Sequence, residues 1–190
     1  MDVYTLQKFI QDCRAGIRTS NSPAECVKKT VPPLFKLLNG DRSFLEPKHF
    51  QSDPHHYARN AIFFDDSDTM SLFALVWLPG QHTPIHDHGT WGAIGILEGT
   101  LGESNFIRVD DQGPAANSGI ELVSGGEILL SPGSVTSFVP NPDHIHIAGN
   151  RSETQRVVSL HLYGHAMAGF NIYDREKRTR NWVEADYNES

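Results

Sequence analysis

The sequence predicts a single domain built as a small antiparallel β-sandwich or barrel, preceded by short α-helices. The length of 190 residues suits one domain with one core. From about residue 58, short apolar segments alternate with Gly, Pro, Asn and Asp, and the intervals between them are too short for the helices that connect parallel strands. We therefore expect a single domain over 1–190, with a helical segment in 1–40, a β-barrel core in 58–175 and a polar C-terminal tail in 176–190.

The N-terminal region has the periodicity of helices. Apolar residues three and four positions apart give the first helix one apolar face: Val3, Leu6, Phe9 and Ile10. Ser22-Pro23 predicts the start of a second helix, with the serine as N-cap and the proline at the first helical position. Pro32-Pro33 predicts an interruption of that helix, after which a short helix containing Leu34 ends at Asn39-Gly40.

The remaining apolar segments are short and predict strands. The tail from Asp174 is rich in charge and asparagine, and we expect it at the surface with Trp182 and Tyr187 as anchors. The predicted strands are Ala61–Phe64, Ser71–Leu78, Trp91–Leu97, Leu101–Val109, Glu127–Leu130, Val135–Val139, His144–Ala148, Val157–Tyr163 and Phe170–Tyr173.

Charge and composition exclude several functional classes. Lys plus Arg is 16 and Asp plus Glu is 23, a net charge of −7 that offers no basic surface for nucleic acid or for an acidic membrane. No window approaches the roughly 20 apolar residues of a membrane span, and the N-terminus lacks the pattern of a secretory signal. The only cysteines, Cys13 and Cys26, cannot form a disulfide framework and suit a reducing cytoplasm, where we expect the protein.

Histidines cluster in two segments. His86 and His88 are two residues apart, so on a strand they share one face while Ile85 and Asp87 point the other way. Neutral imidazoles are ligands for Zn, Fe, Cu or Ni, although a hydrogen-bonded or surface pair is the alternative. The second cluster holds another same-face pair, His144 and His146, and spacing alone leaves open which of the two joins the first pair.

These clusters resemble the two cupin motifs. His86-Asp87-His88 with Gly99 resembles the first, and His146 with Asn150 resembles the end of the second, which implies a jelly-roll barrel with His146 as the third ligand. Cupins usually carry a glutamate shortly after the second histidine, but residues 89–94 hold no carboxylate and Glu98 is expected at the surface. We therefore expect three neutral histidines without a protein anion. A dication held this way favours anionic ligands and keeps coordination positions open for O₂.

Residues 157–163 alternate between an apolar face, which contains Leu160, and a polar face of Ser159, His161 and Tyr163. Periodicity does not decide which face looks inward, and a solvent-facing polar ladder is the alternative. The string resembles the cysteine dioxygenase family of thiol dioxygenases, in which a Ser–His–Tyr relay lies beside a three-histidine ferrous iron. His146 lies thirteen residues before Ser159, as in that family.

A further resemblance to this family lies at Tyr57-Ala58-Arg59-Asn60, because the family has a Tyr-x-Arg-Asn segment whose arginine binds the substrate carboxylate. The alternative is a surface ion pair of Arg59 with the nearby acids at 65–68. Mammalian members carry a cysteine that cross-links to the relay tyrosine, whereas residues 91–93 contain none, and Gly164 replaces their Ser-Pro. The related 3-mercaptopropionate dioxygenases usually have glutamine at the arginine position, so Arg59 favours cysteine.

The resemblance implies an iron-dependent thiol dioxygenase that adds both atoms of O₂ to the sulfur of L-cysteine, giving cysteine sulfinic acid. It implies Fe(II) on His86, His88 and His146, substrate binding by Arg59 and Tyr57, and a hydrogen bond from Tyr163, held by His161 and Ser159. His82 and His144 are expected near the rim of the site. The alternatives are a dioxygenase of 3-mercaptopropionate or another thiol acid, a non-catalytic metal- or ligand-binding cupin, and a zinc or nickel hydrolase or isomerase. A homodimer is compatible with the resemblance.

Overall fold

A computed structural model of the chain describes residues 3–140, 144–185 and 187–188. In these ranges, neighbouring strands within each sheet pair antiparallel, which confirms the predicted fold class. The helices are α1 (Leu6–Arg18), α2 (Pro23–Asn39) and a short 3₁₀ helix (Pro47–Phe50). The strands are β1 (Ala58–Phe64), β2 (Ser71–Trp77), β3 (Gly92–Glu98), β4 (Leu101–Arg108), β5 (Leu122–Leu130), β6 (Val135–Phe138), β7 (Ile145–Asn150), β8 (Val157–Tyr163), β9 (Gly169–Asp174) and β10 (Thr179–Glu184).

Helix α2 begins where the sequence predicts, with the Ser22 hydroxyl accepting a hydrogen bond from the Glu25 N–H. The predicted interruption at Pro32-Pro33 is wrong, because α2 continues through both prolines to Asn39. Each proline inside a helix costs about 3 kcal/mol, so the pair costs about 6 kcal/mol. Three leucines that follow on the same helix are fully buried and together contribute about 5–9 kcal/mol, which offsets that cost: they are Leu34, Leu37 and Leu38.

Two sheets enclose the barrel. The first has the strand order β1-β2-β8-β3-β6, and the second contains β5-β4-β7. Residues 82–87 connect β7 with the β9–β10 pair, because the His86 and His146 backbones exchange two N–H···O bonds of 3.0 Å and the Tyr173 N–H donates to the Ile85 carbonyl at 2.8 Å. The first histidine motif therefore lies in the second sheet, next to the strand that carries the second motif.

Strand β8 is buried on both faces, and its periodicity left open which face looks into the barrel. The side chains that each face packs against decide this. Val158, Leu160 and Leu162 pack in a core shared with α1 and α2, while Tyr163 belongs to a second core inside the barrel. The helices need an apolar surface to cover, so the apolar face of β8 turns toward them and its polar face turns inward. On β3, Gly95 allows this close packing, since a Cβ there would lie 3.2 Å from the Leu38 side chain.

Regular structure extends beyond the predicted strands. Within the expected polar tail, β10 pairs with β9, and Tyr187 packs on Phe64 and Phe73 at 5.2 and 5.6 Å between ring centroids. Trp182 is 61% exposed and lies over Gly169 of β9. Strand β5 begins at Leu122, five residues before its predicted start at Glu127. The prediction missed the first half because its exposed residues show no alternation of apolar and polar side chains. Within the described ranges, none of the helices has the length and apolar character that crossing a bilayer requires.

Candidate metal centre

Three histidines from the two motifs converge inside the barrel. His86 and His88 come from the segment between β2 and β3, and His146 comes from β7. Their ring centroids lie 4.7–5.0 Å apart, and one nitrogen from each falls within 4.8 Å of the others. The side chains are at most 6% exposed. The structure thus brings together the three residues that the motif resemblance selects.

Asp87 holds the first motif in place from the opposite side. Its carboxylate accepts hydrogen bonds from the Tyr173 hydroxyl at 2.8 Å and from the backbone N–H and side-chain amide of Asn171, both at 2.9 Å. The carboxylate therefore points toward β9 and away from the histidines, as the alternation predicts. This attachment fixes the backbone between His86 and His88.

The three imidazoles are neutral at ordinary pH. Burial lowers the pKa of His86 and of His146 to about 3, with the neighbouring His146 contributing to the shift at His86. Burial, reinforced by the neighbouring histidines, holds the pKa of His88 well below its usual value. His86 Nδ1 lies 3.2 Å from the Pro84 carbonyl and 3.1 Å from that of His146. A proton on this nitrogen donates to both carbonyls, which leaves the Nε2 lone pair available to a metal.

The expectation of three neutral histidines without a protein anion among the ligands stays a prediction, but a buried carboxyl group lies beside the third histidine. Glu103, on β4, is 1% exposed and its Oε2 lies 3.6 Å from His146 Nδ1. Glu103, His144 and His146 form a second group whose potential ligand atoms lie within 4.8 Å of one another. Burial raises the pKa of Glu103, an effect that His144 opposes. Leu101, Glu103 and Asn105 are two residues apart and share one face of a strand. An inward-facing Leu101 would therefore have predicted an inward-facing Glu103 from the sequence.

His144 lies beside the trio rather than in it. Its Nε2 is 3.0 Å from Asn105 Oδ1, and its ring stacks on Phe138 at 4.8 Å. His82 is exposed, with its Nδ1 3.0 Å from the Thr83 carbonyl.

The polar face of β8 forms a continuous hydrogen-bonded chain. Ser159 Oγ is 2.9 Å from His161 Nε2, and His161 Nδ1 is 3.0 Å from the Tyr163 hydroxyl. Trp77, which no sequence motif singles out, extends the chain, because its Nε1–H donates to Ser159 Oγ at 3.0 Å. Because an indole nitrogen only donates, the serine proton is available for His161 Nε2. His161 then donates from Nδ1 to the Tyr163 oxygen, which leaves the phenol proton for a ligand.

Burial keeps the members of this chain uncharged. It lowers the pKa of His161 well below the usual value and raises the pKa of Tyr163 above its ordinary range. Tyr163 therefore remains a protonated phenol at neutral pH and can act as a hydrogen-bond donor.

Arg59 lies on β1 and faces the barrel. It is 7% exposed, and its guanidinium carbon lies 4.8 Å from the centre of the Phe73 ring, so Arg59 is not a surface residue. Among the nearby acids, Asp65 is bound by Arg14 at 2.5 Å. Tyr57 stacks on Trp77 at 4.4 Å between ring centroids.

These groups share one buried cavity. Its volume is about 20 Å³, so a ligand that reaches the histidines must be small or must displace side chains. A wider cavity of about 520 Å³ shares Tyr57, Arg59 and Phe170 with it and leads toward the surface. The inner cavity is lined by Tyr57, Arg59, Leu75, Trp77, Thr83, His86, His88, His146, Ala148, His161, Tyr163, Met167 and Phe170.

An antiparallel barrel that closes over three inward histidines has the fold and site of a metal-binding cupin. Within that class, the chain belongs to the cysteine dioxygenase type I family, whose sequence profile matches residues 46–176, more than half of its length.

Relatives of known name agree with this family. Human cysteine dioxygenase type 1 is 26% identical over 132 residues, which cover 69% of this chain and 62% of the human protein. The Danio rerio enzyme of the same name is 26% identical over 141 residues, 74% of this chain and 67% of its own. The chain thus spans less than two thirds of the human relative. A solved Klebsiella pneumoniae protein with a double-stranded β-helix domain matches 70% of this chain and 98% of its own at 15% identity, with a TM-score of 0.49.

Proposed function

We propose that the protein is an iron-dependent thiol dioxygenase that converts L-cysteine and O₂ into cysteine sulfinic acid. The observation that supports this most directly is one buried cavity that holds three neutral histidines, the Arg59 guanidinium and the Tyr163 hydroxyl. The reaction balances without another reactant, since sulfur loses four electrons and O₂ gains them. Both oxygen atoms end on sulfur.

The donor set suits a ferrous ion. Three neutral imidazoles are ligands for divalent iron, and His86, His88 and His146 would hold it. Bound there, iron supplies open coordination positions for a thiolate and O₂ and the redox chemistry that joins oxygen to sulfur. Because the histidines carry no charge, the site favours a substrate that brings its own anion, as a thiolate does.

Arg59 supports a substrate with a carboxylate. A guanidinium forms two parallel hydrogen bonds with a carboxylate, and its burial against Phe73 limits both screening by salt and rotation of the side chain. Tyr57 lies at the junction of the two cavities, where it lines the path to Arg59. Together these residues would fix one end of a short thiol acid while its sulfur reaches the histidines.

Tyr163 would supply a directed proton donor. The chain from Trp77 through Ser159 and His161 leaves the phenol proton as the end group, and the hydroxyl faces the cavity that the histidines line. A donor that is oriented before the substrate arrives stabilises developing negative charge without reorganisation. We assign Tyr163 to hydrogen bonding with the substrate or the oxygen that it acquires.

Oxygen uptake tests this function. Protein loaded anaerobically with Fe(II) is supplied in turn with cysteine, 3-mercaptopropionate and cysteamine, and products are identified by mass spectrometry. The proposal predicts uptake with cysteine and formation of its sulfinic acid, loss of uptake in His88→Ala, and full uptake in the control His55→Ala, whose side chain is exposed. A preference for 3-mercaptopropionate would reassign the substrate. The absence of uptake with every thiol would indicate a non-catalytic cupin. If the purified protein contained only zinc or nickel, a hydrolase or isomerase would be favoured.

A homodimer and a cytoplasmic location stay predictions. Light scattering of the purified protein addresses the first, and fractionation of cells that express it addresses the second.

A further inference from the structure

We propose that Glu103 is a positioning residue of the metal centre. Its carboxylate accepts the Nδ1–H of His146 and thereby holds that imidazole with Nε2 directed at His86 and His88. The inference rests on the proposed metal site, and it concerns how this chain orients its third histidine.

Strand pairing brings the two residues together. Strand β4 lies next to β7 in a register that places Asn105 opposite His146 and Glu103 opposite Ala148. Residues two apart on a strand share a face, so Glu103 and Asn105 both point toward His146 on β7 and His144 just before it. Asn105 contacts His144 Nε2 at 3.0 Å, and Glu103 approaches His146 Nδ1 at 3.6 Å.

The local polar groups need such a bond. Glu103 and His146 are each 1% exposed, and neither Glu103 Oε1 nor His146 Nδ1 has a hydrogen-bond partner among the residues that the structure describes. A buried polar group without a partner is strongly unfavourable. The separation of 3.6 Å exceeds an N–H···O bond of about 2.9 Å by less than 1 Å, a distance that rotation of the glutamate side chain can close.

The chemistry of a ligating histidine sets the direction of the bond. An imidazole that gives its Nε2 lone pair to a cation carries its proton on Nδ1, and ligating histidines usually donate that proton to a carboxylate or carbonyl. His86 has backbone carbonyls beside its Nδ1, whereas His146 has Glu103. A carboxylate makes the imidazole a stronger donor and places negative charge one ring away from the cation.

This arrangement also replaces what the first motif lacks. No acidic residue stands in positions 89–94, where cupins usually carry a glutamate. The carboxylate instead comes from a different strand and acts through a histidine. A competing arrangement would place the cation between Glu103, His144 and His146, and the two arrangements predict different effects of replacing His144.

The test measures metal affinity apart from activity. Wild type and the variants Glu103→Gln, Glu103→Asp, His144→Ala and Glu127→Gln are titrated anaerobically with Co(II) against a competing chelator. We expect Glu103→Gln to weaken affinity by about 10- to 100-fold, Glu103→Asp to recover part of the loss, and His144→Ala to change it less than Glu103→Gln. Glu127→Gln is the matched control, because it makes the same change on the exposed face of neighbouring β5 and should leave affinity unchanged.

A second readout reports the bond itself. In the Co(II)-loaded protein, the Nδ1–H of a ligating histidine gives a hyperfine-shifted, exchangeable proton resonance. Faster solvent exchange or a shift of one such resonance in Glu103→Gln, with the others unchanged, supports the inference, and the Co(II) affinity of Glu103→Asp tests it if the glutamine variant fails to fold.

The outcomes separate the two proposals. Tight Co(II) binding by wild type with equal affinity and an unchanged proton resonance in Glu103→Gln overturns the role of Glu103 alone. Failure of wild type to bind Co(II) overturns the metal centre and this inference together. A larger loss in His144→Ala than in Glu103→Gln overturns the inference and places the cation at the competing group.

Discussion

Replacing Arg59 by alanine is expected to impair the oxidation of cysteine far more than that of cysteamine, which lacks a carboxylate. The guanidinium is 7% exposed and packs against Phe73, so its bonds to a carboxylate would be little screened. Hydrogen bonds to charged groups contribute about 1.5–3 kcal/mol each. Losing a two-bond contact of about 3 kcal/mol, at 1.36 kcal/mol per tenfold change, lowers kcat/KM roughly 100-fold.

The assay compares initial rates of oxygen uptake with the two thiols in wild type and Arg59→Ala at equal iron content. Cysteamine should lose only a few-fold, because its sulfur still reaches the histidines. Arg59→Lys should fall between wild type and alanine, since lysine keeps the charge but not the planar fork. The matched control is Arg156→Ala, an exposed arginine paired with Glu98, which should leave both rates unchanged. An equal loss for cysteine and cysteamine in Arg59→Ala would refute the carboxylate contact.

Three further predictions follow from the same structure. Tyr163→Phe should retain iron but lower kcat by about 100-fold, as removal of an oriented donor does, measured by oxygen uptake at saturating cysteine. His146→Ala should lose iron on desalting whereas His144→Ala should retain it, measured by metal analysis. Burial by itself raises the pKa of Asp65, but hydrogen bonds from two hydroxyls and a guanidinium outweigh it and lower that pKa to about 2. Since the pKa of Asp65 is lower in the folded than in the unfolded state, its ionisation stabilises the fold by about 2 kcal/mol. This stabilisation is present above about pH 4 and is lost as the pH falls toward 2. Asp65→Asn should therefore lower the urea midpoint at pH 7 and flatten the dependence of that midpoint on pH below pH 4.

Each of these predictions has a clear contrary result. Loss of iron in Tyr163→Phe would make the tyrosine a structural support of the site. Equal loss of iron from both histidine variants would refute the choice of His146 as the third ligand. A urea midpoint of Asp65→Asn that matches wild type at pH 7 would show that the bonds to Asp65 contribute nothing to folding.

The parts of the site that lie close together in sequence were predictable. His86 and His88 follow from two-residue alternation, and so do Ser159, His161 and Tyr163 as one face of a strand. The direction of that face was not predictable from β8 alone. It depends on α1 and α2, which cover the apolar face and thereby turn the polar one inward.

The parts that depend on distant strand pairing were missed. Glu103 reaches His146 only because β4 and β7 are neighbours, and no spacing rule connects those residues. Trp77 likewise meets Ser159 across the β2–β8 pairing. The continuous α2 was missed for a different reason, since local rules for proline ignore the burial of the leucines that follow it.

The most direct test of the central claim uses isotopically labelled O₂. Protein loaded anaerobically with Fe(II) receives cysteine and then labelled O₂ in unlabelled water, and the mass of the product is measured by mass spectrometry. A dioxygenase reaction should give cysteine sulfinic acid with both sulfur-bound oxygen atoms labelled. Recovery of unchanged cysteine, or of cystine without labelled oxygen, from protein that has retained its iron would contradict it.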